Sequence, residues 1–415
     1  MKWFHFSIDT SVPGPVWAGL FWQARNLLEK TVDLVPLSLP IAMASNQGQP
    51  RYSLRHQLAL RTTSRELRDL VERELSSSDQ NVLEVQATSA AVIHRSSLLD
   101  PIWDRFYKRV LTIVDTIEPE HVPRSKTQQF DLIRCFCPAL ARRWRSQTSV
   151  PVLFQPSGID AVEFLNDGEH RPIDMIVVGR RDREFYQTVH QHYLPPERGR
   201  LLLDFGTRPQ GARQPEEEWR LLMSAYARAQ IAFCFEPSST ERFKGRSSMT
   251  HRWPQAWTAG CTVIGRGPTE PELQPYLDWP ESTLEVPDDP NAWIPFLETT
   301  LQDSEGLQRR RERNTLEALR RHDARLHLRN LLLVLGLERP TKLRAELERL
   351  EAQVSKLEEV HGLPALDDGW ERVAAAGDQW IVGGGINTNS GVKNPTTRHS
   401  TDLEIPTTSG SPPWT

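Results

Sequence analysis

Short apolar segments of strand length alternate with amphipathic segments of helical length through residues 1–235, and this alternation constrains the fold more than any other feature. Strand-like runs at 2–8, 32–37, 81–86, 110–115 and 131–135 are interleaved with helical periodicity at 16–30 and 55–75, and a further helix follows as far as Arg145. After a short strand at 150–154 the order repeats, with strands at 173–178, 200–204 and 230–235 and helices at 184–193 and 216–229. Strands separated by crossover helices pair in parallel and need helices over both faces, so the class is α/β. The chain is expected to form two Rossmann-like, doubly wound domains with a cleft between them, and ligands bind such sheets outside the carboxyl ends of the strands.

The expected division is 1–150 for the first domain, 151–338 for the second, 339–361 for an amphipathic helix and 362–415 for a largely disordered tail. The tail is rich in Gly, Asn, Thr, Ser and Pro and has no periodicity. In the helix, Leu343, Leu347, Leu350, Val354 and Leu357 step by four and three, the spacing of a coiled-coil seam over roughly two heptads. Such a stripe can pack back onto the body or pair two copies, so a homodimer through 343–357 stays open.

The formal charge of −4 argues against a general nucleic-acid binder, and no nucleic-acid partner is expected. The basic run 309–313 lies in a charged helical stretch and reads as a solvated face. The four cysteines, Cys135, Cys137, Cys234 and Cys261, lack a second pair at zinc-like spacing, which favours buried thiols in a reducing compartment. With no long apolar run and no cleavage-site pattern at the N-terminus, a cytoplasmic location is expected.

Residues 236–265, EPSSTERFKGRSSMTHRWPQAWTAGCTVIG, concentrate the candidate chemistry. They read as a loop carrying Glu241 among cations, a short helix at 253–259, Gly260, and Val263 and Ile264 entering a strand. A helix N-terminus beside a glycine turn offers backbone N–H groups to phosphate oxygens. Trp253 and Trp257 flank the same segment, and an apolar ring face suits a pyranose, although both also fit a core.

Four motifs resemble those of the two-domain (GT-B) glycosyltransferases, in particular the group 1 family of retaining enzymes and its spore-maturation-type relatives. QPSGID at 155–160 is similar to the interdomain "PNGID" segment, and VVGR at 177–180 to the glycine–arginine turn that opens the donor domain. PSSTERF at 237–243 is similar to "PS-x-x-E-G-F", and PQAWTAGCTVIG at 254–265 to "E-A-x-A-x-G-x-P-V-I". RHDARLHLRNLL at 321–332 resembles the terminal helix that follows in these proteins.

The resemblance implies an acceptor domain at 1–150, a nucleotide-sugar donor domain at 151–338, and sugar transfer to a glycan, a lipid-linked saccharide or a protein. It implies that Arg180 and Arg252 counter the leaving diphosphate and that Glu241 contacts the donor sugar, with Gly179, Gln255, Gly260 and Cys261 at the donor site. The nucleotide-sugar is a co-substrate, and neither cofactor nor metal is implied. The sequence also departs from the pattern. The lysine that usually follows the arginine is absent, leaving Arg181 or Arg183, with Arg242, Lys244 and Arg246 as further cations. Gln255 stands in place of a carboxylate that holds the ribose hydroxyls. Val114 replaces a histidine at the acceptor strand end, leaving Asp115, and the first loop has Gly14 where a glycine pair is common. These departures favour an alternative, a non-catalytic binding or scaffolding protein on the same fold; a sugar-nucleotide epimerase is a third reading.

Overall fold

The computed structural model describes residues 1–13, 17–39, 54–75, 80–166, 168, 170–179, 181–205 and 213–363. Gly14, Arg180 and nearly all of the expected tail lie outside the described residues.

Six parallel strands form the first sheet: β1 (Lys2–Ile8), β2 (Asp33–Leu39), β3 (Val82–Ala87), β4 (Lys108–Ile113), β5 (Leu132–Cys135) and β6 (Val152–Phe154), in the order β2-β1-β3-β4-β5-β6. Five form the second: β7 (Ile173–Val177), β8 (Leu202–Asp204), β9 (Ala229–Phe235), β10 (Thr262–Arg266) and β11 (Leu284–Glu285), in the order β11-β10-β9-β7-β8. The interiors of β1, β3 and β9 are buried on both faces, as parallel strands under helices require. The expected fold class therefore holds: α/β, with two doubly wound parallel sheets. One expectation is corrected. The strand at 150–154, assigned to the later domain, is β6, hydrogen-bonded to β5 at the edge of the first sheet.

Each sheet reverses its strand order once, between β1 and β3 in the first and between β7 and β9 in the second. At such a switch the connections leave in opposite directions and open a crevice at the carboxyl ends.

The chain passes between the lobes twice, and the two passages are bonded to each other. Ile159 N–H donates to the His322 carbonyl at 2.9 Å, and Ala324 N–H to the Ile159 carbonyl at 2.8 Å. A Cβ on Gly158 would stand 2.7 Å from Ala324 Cα, so only glycine permits this approach. Beside it the fully buried Arg325 reaches Asp160 at 2.8 Å and Asp323 at 3.0 Å, and Lys30 reaches Asp160 at 2.8 Å. A charge so deep is tolerated because its partners are arranged around it.

After the second passage the helices Ala324–Val334 and Thr341–His361 pack on the first-lobe helix Ala18–Thr31. Leu343, Leu347, Leu350 and Leu357 are buried there. Of the two expected readings of the seam at 343–357, the structure shows packing on the body, with Val354 partly buried. Among the described residues, no helix is long and apolar enough to cross a membrane.

Candidate functional site

A cavity of ≈ 1030 Å³ lies between the lobes at the two switch points. Its second-lobe wall begins where β7 ends, at Val178 and Gly179. Gly179 has φ +67, which an L side chain adopts only with strain, and a Cβ there would meet nothing within 4 Å. Glycine is therefore needed for the direction of the turn.

The same wall carries Arg252 and Gln255 from the helix Arg252–Thr258. Arg252 is buried, donating from Nη2 to the Phe235 carbonyl at 2.9 Å and from Nε to Thr250 Oγ1 at 3.1 Å. It is thus a positioned cation, tied to the end of β9. Gln255 is 3% exposed and still lines the cavity. The helix is held from behind by Trp253 Nε1 on Thr283 Oγ1 at 3.1 Å and Trp257 Nε1 on the Ser282 carbonyl at 2.7 Å. Both tryptophans are fully buried, which makes them core residues and removes them as sugar-stacking surfaces.

The remaining sequence-predicted residues lie elsewhere. Gly260 has φ +72, and a Cβ on it would meet Arg171 Nη2 at 2.6 Å and Asn166 O at 2.7 Å, so its close approach is to a side chain and backbone of this chain. Cys261 Sγ faces the Tyr226 carbonyl at 3.1 Å. Neither lines the cavity. Glu241 is exposed on the loop after β9 and is absent from the cavity wall as well. Arg181 does not stand in for a missing lysine: it pairs with Asp204 at 2.7 Å and stacks over Tyr186.

The cations of that loop cross to the first lobe. Arg242 pairs with Asp115, and Arg246 reaches Glu118 at 2.7 Å, where Arg143 also stands at 3.3 Å. The loop therefore latches one lobe onto the other, a role the sequence did not indicate.

The first-lobe floor was also missed. His5 on β1, Glu84 and Gln86 on β3 and Arg134 on β5 line the cavity. Glu84 accepts from Trp3 Nε1 at 3.0 Å, His5 Nδ1 at 3.3 Å, Thr112 Oγ1 at 2.6 Å and Arg134 Nη2 at 2.9 Å. Burial alone would raise the Glu84 carboxyl, but the Arg134 charge and the bonds from His5 and Thr112 outweigh it and hold it down at about 2. His5 Nε2 continues the network to Gln86 Oε1 at 3.1 Å. The sequence signal exists: polar residues at every second position inside apolar strands, Trp3-x-His5-x-Ser7 and Glu84-x-Gln86, mark one polar sheet face.

Where the lobes meet, His251 sits edge-on to Phe136, with ring centroids 6.5 Å apart. Its Nδ1 is buried with no hydrogen-bond partner among the described residues, and burial pushes the imidazole down to about 4. Among the described residues, no group of three or more His, Cys, Asp or Glu is placed to hold a metal ion.

Chemically, one wall offers a fixed guanidinium, an amide and a glycine turn, which suits an anion carrying a diol. The opposite floor offers a neutralised polar surface.

No protein-family profile matches the chain, and no curated protein matches it in sequence. Solved structures do match in fold. An α-glucosyltransferase in complex with UDP-glucose and DNA containing an abasic site is 14% identical, over 81% of this chain and 99% of that one, with a TM-score of 0.50. An α-glucosyltransferase in complex with UDP is 12% identical, over 81% of this chain and 100% of that one, also at 0.50. At such identities the likeness is one of architecture. With its two facing doubly wound lobes, the chain has the GT-B fold.

Proposed function

We propose that this chain is a glycosyltransferase that moves a sugar from a nucleoside-diphosphate donor to an acceptor held against the first lobe. The observation that carries the reading is the placement of Arg252 and Gln255 beside the Gly179 turn, at the switch point of the second sheet, facing a polar floor across one cavity. The structures similar in fold hold UDP or UDP-glucose, which supports the same donor class here. Arg252, with Arg180 after the glycine turn, counters the charge that develops on the departing diphosphate, and Gln255 hydrogen-bonds the donor's hydroxyls. A retaining, metal-independent transfer follows from the motif resemblance.

Glycan, lipid-linked saccharide and protein acceptors fit the reading. The exclusion of nucleic acid drawn from net charge is withdrawn, because one α-glucosyltransferase of this fold is solved with DNA. A second reading, a binding protein without transfer, is favoured by Gln255 and Val114 and by the commitment of Arg242 and Arg246 to first-lobe carboxylates. The test incubates the chain with UDP-, GDP- and ADP-sugars and a panel of saccharide, lipid-linked, protein and DNA acceptors. Released nucleoside diphosphate with a matching glycosylated product supports transfer. Tight nucleotide binding with no release in any combination supports the second reading.

A further inference from the structure

We propose that the exposed indole of Trp17 is the platform for the acceptor, and that the acceptor is an uncharged saccharide laying the C–H face of a pyranose on that ring. The inference rests on the transferase reading above and narrows its acceptor to one class.

The switch point of the second sheet carries the wall proposed to grip the diphosphate. The first sheet has a switch point of its own, between the paired strands β1 and β3, and its carboxyl ends open into the same cavity. What those ends carry decides which ligand fits. The chain leaving β1 enters the helix Ala18–Thr31 at Trp17, the chain leaving β3 continues through Thr88 and Ser89, and the chain leaving β4 through Asp115 and Thr116. All five residues line the cavity.

Trp17 differs from the other aromatic residues of the cavity in being reachable. It is 43% exposed, whereas Phe136 and Phe243 are half-buried and Phe21, Phe205 and Trp219 are buried. Its ring is nonetheless positioned. Phe21, one helical turn on, meets it with 5.8 Å between centroids and 74° between planes. In such an edge-to-face pair at least one face of the indole stays clear of its neighbour.

An aromatic face beside the hydroxyls of Thr88, Ser89 and Thr116 matches a pyranose, which has C–H groups on one face and hydroxyls around its rim. The charges of the first-lobe floor are already matched. Arg134 pairs with Glu84 at 2.9 Å, and Asp115 pairs with Arg242. An acceptor phosphate or carboxylate would therefore lose hydration at this floor without an unpaired cation of the first sheet, among the described residues, to receive it. Stacking also fixes where the attacking hydroxyl lies without adding a protein base, as a retaining transfer allows.

The experiment labels the full chain with fluorotryptophan and follows it by fluorine NMR; of the thirteen tryptophan signals, that of Trp17 is the one missing from Trp17→Phe. Titrants are maltose, cellobiose, lactose and methyl mannoside as neutral saccharides, glucuronate as a charged one and naphthol as an apolar alcohol. At least one neutral saccharide should shift the Trp17 signal saturably. Trp17→Ala should bind it about 10–50-fold more weakly, and Trp17→Tyr, which keeps a ring, within about fivefold of wild type. Nucleoside-diphosphate affinity by calorimetry should stay within about threefold in both variants, and circular dichroism confirms that they fold. The assignment is overturned if no neutral saccharide moves the signal, if Trp17→Ala binds as wild type does, or if glucuronate or naphthol binds about tenfold more tightly than every neutral saccharide. A tenfold loss of diphosphate affinity in Trp17→Ala overturns it too, by placing the ring on the donor. Failure of the transferase reading shows separately, as a wild type that binds no nucleoside diphosphate or releases no sugar, whichever way the saccharide titration turns.

Discussion

Replacing Glu84 by Gln leaves the Arg134 guanidinium in the cavity floor without its counter-charge. The carboxylate receives two bonds on each oxygen, from Trp3 and His5 on one and from Thr112 and Arg134 on the other. Its fall from the ordinary 4.5 to about 2 converts, at about 1.4 kcal/mol per pH unit, to about 3 kcal/mol of folding stability. Breaking buried ion pairs from one side costs about 3–5 kcal/mol, which agrees.

Urea unfolding at pH 7 should therefore show Glu84→Gln less stable by about 3 kcal/mol. Glu84→Gln combined with Arg134→Met should recover part of the loss, with a coupling of about 1–3 kcal/mol. The pH sign follows from a depressed folded value: the contribution is complete above the ordinary 4.5 and is lost as pH falls toward 2. The gap between wild type and Glu84→Gln should thus shrink to less than half by about pH 3. A loss below about 1 kcal/mol at pH 7, or a gap that grows on acidification, would refute the ion-pair reasoning.

Gly158→Ala places a methyl group 2.7 Å from Ala324 Cα, on backbone that cannot step aside, and is expected to destabilise by about 1–3 kcal/mol in urea unfolding; unfolding at the wild-type midpoint would show that the two passages are not tied as described. Arg242→Ala removes a half-exposed latch cation, so nucleoside-diphosphate affinity should change by less than about threefold and stability by less than about 1 kcal/mol. A tenfold or greater loss of affinity would return that arginine to the phosphate grip.

The fold was largely legible because its signal is additive: many short apolar runs in alternation leave few architectures that bury them all. The legible part of the site was the second-lobe wall, where Gly179, Arg252 and Gln255 come from short contiguous motifs. Gly260 and Cys261 sit in the same kind of motif but are used against Arg171 and Tyr226, contacts set by residues more than thirty positions away. The pairing of Arg242 and Arg246 was hidden for a related reason, since Asp115 and Glu118 lie more than one hundred positions away and face them only in the folded chain. The first-lobe floor assembles from β1, β3, β4 and β5, so no local window contains it; only the polar residues at every second position hint at one face. The leucine stripe at 343–357 has the same spacing for self-association as for packing on its own body, and burial against the first lobe decides between them.

The most direct test of the central claim, that the second lobe grips a diphosphate through its fixed guanidinium, is calorimetric titration of wild type and Arg252→Ala with UDP, GDP and ADP. One nucleotide should bind wild type, and Arg252→Ala should weaken it by about 10–100-fold, the equivalent of about 1.5–3 kcal/mol for hydrogen bonds to a charged group. Failure of all three to bind, or equal binding by a folded Arg252→Ala chain, would contradict the account.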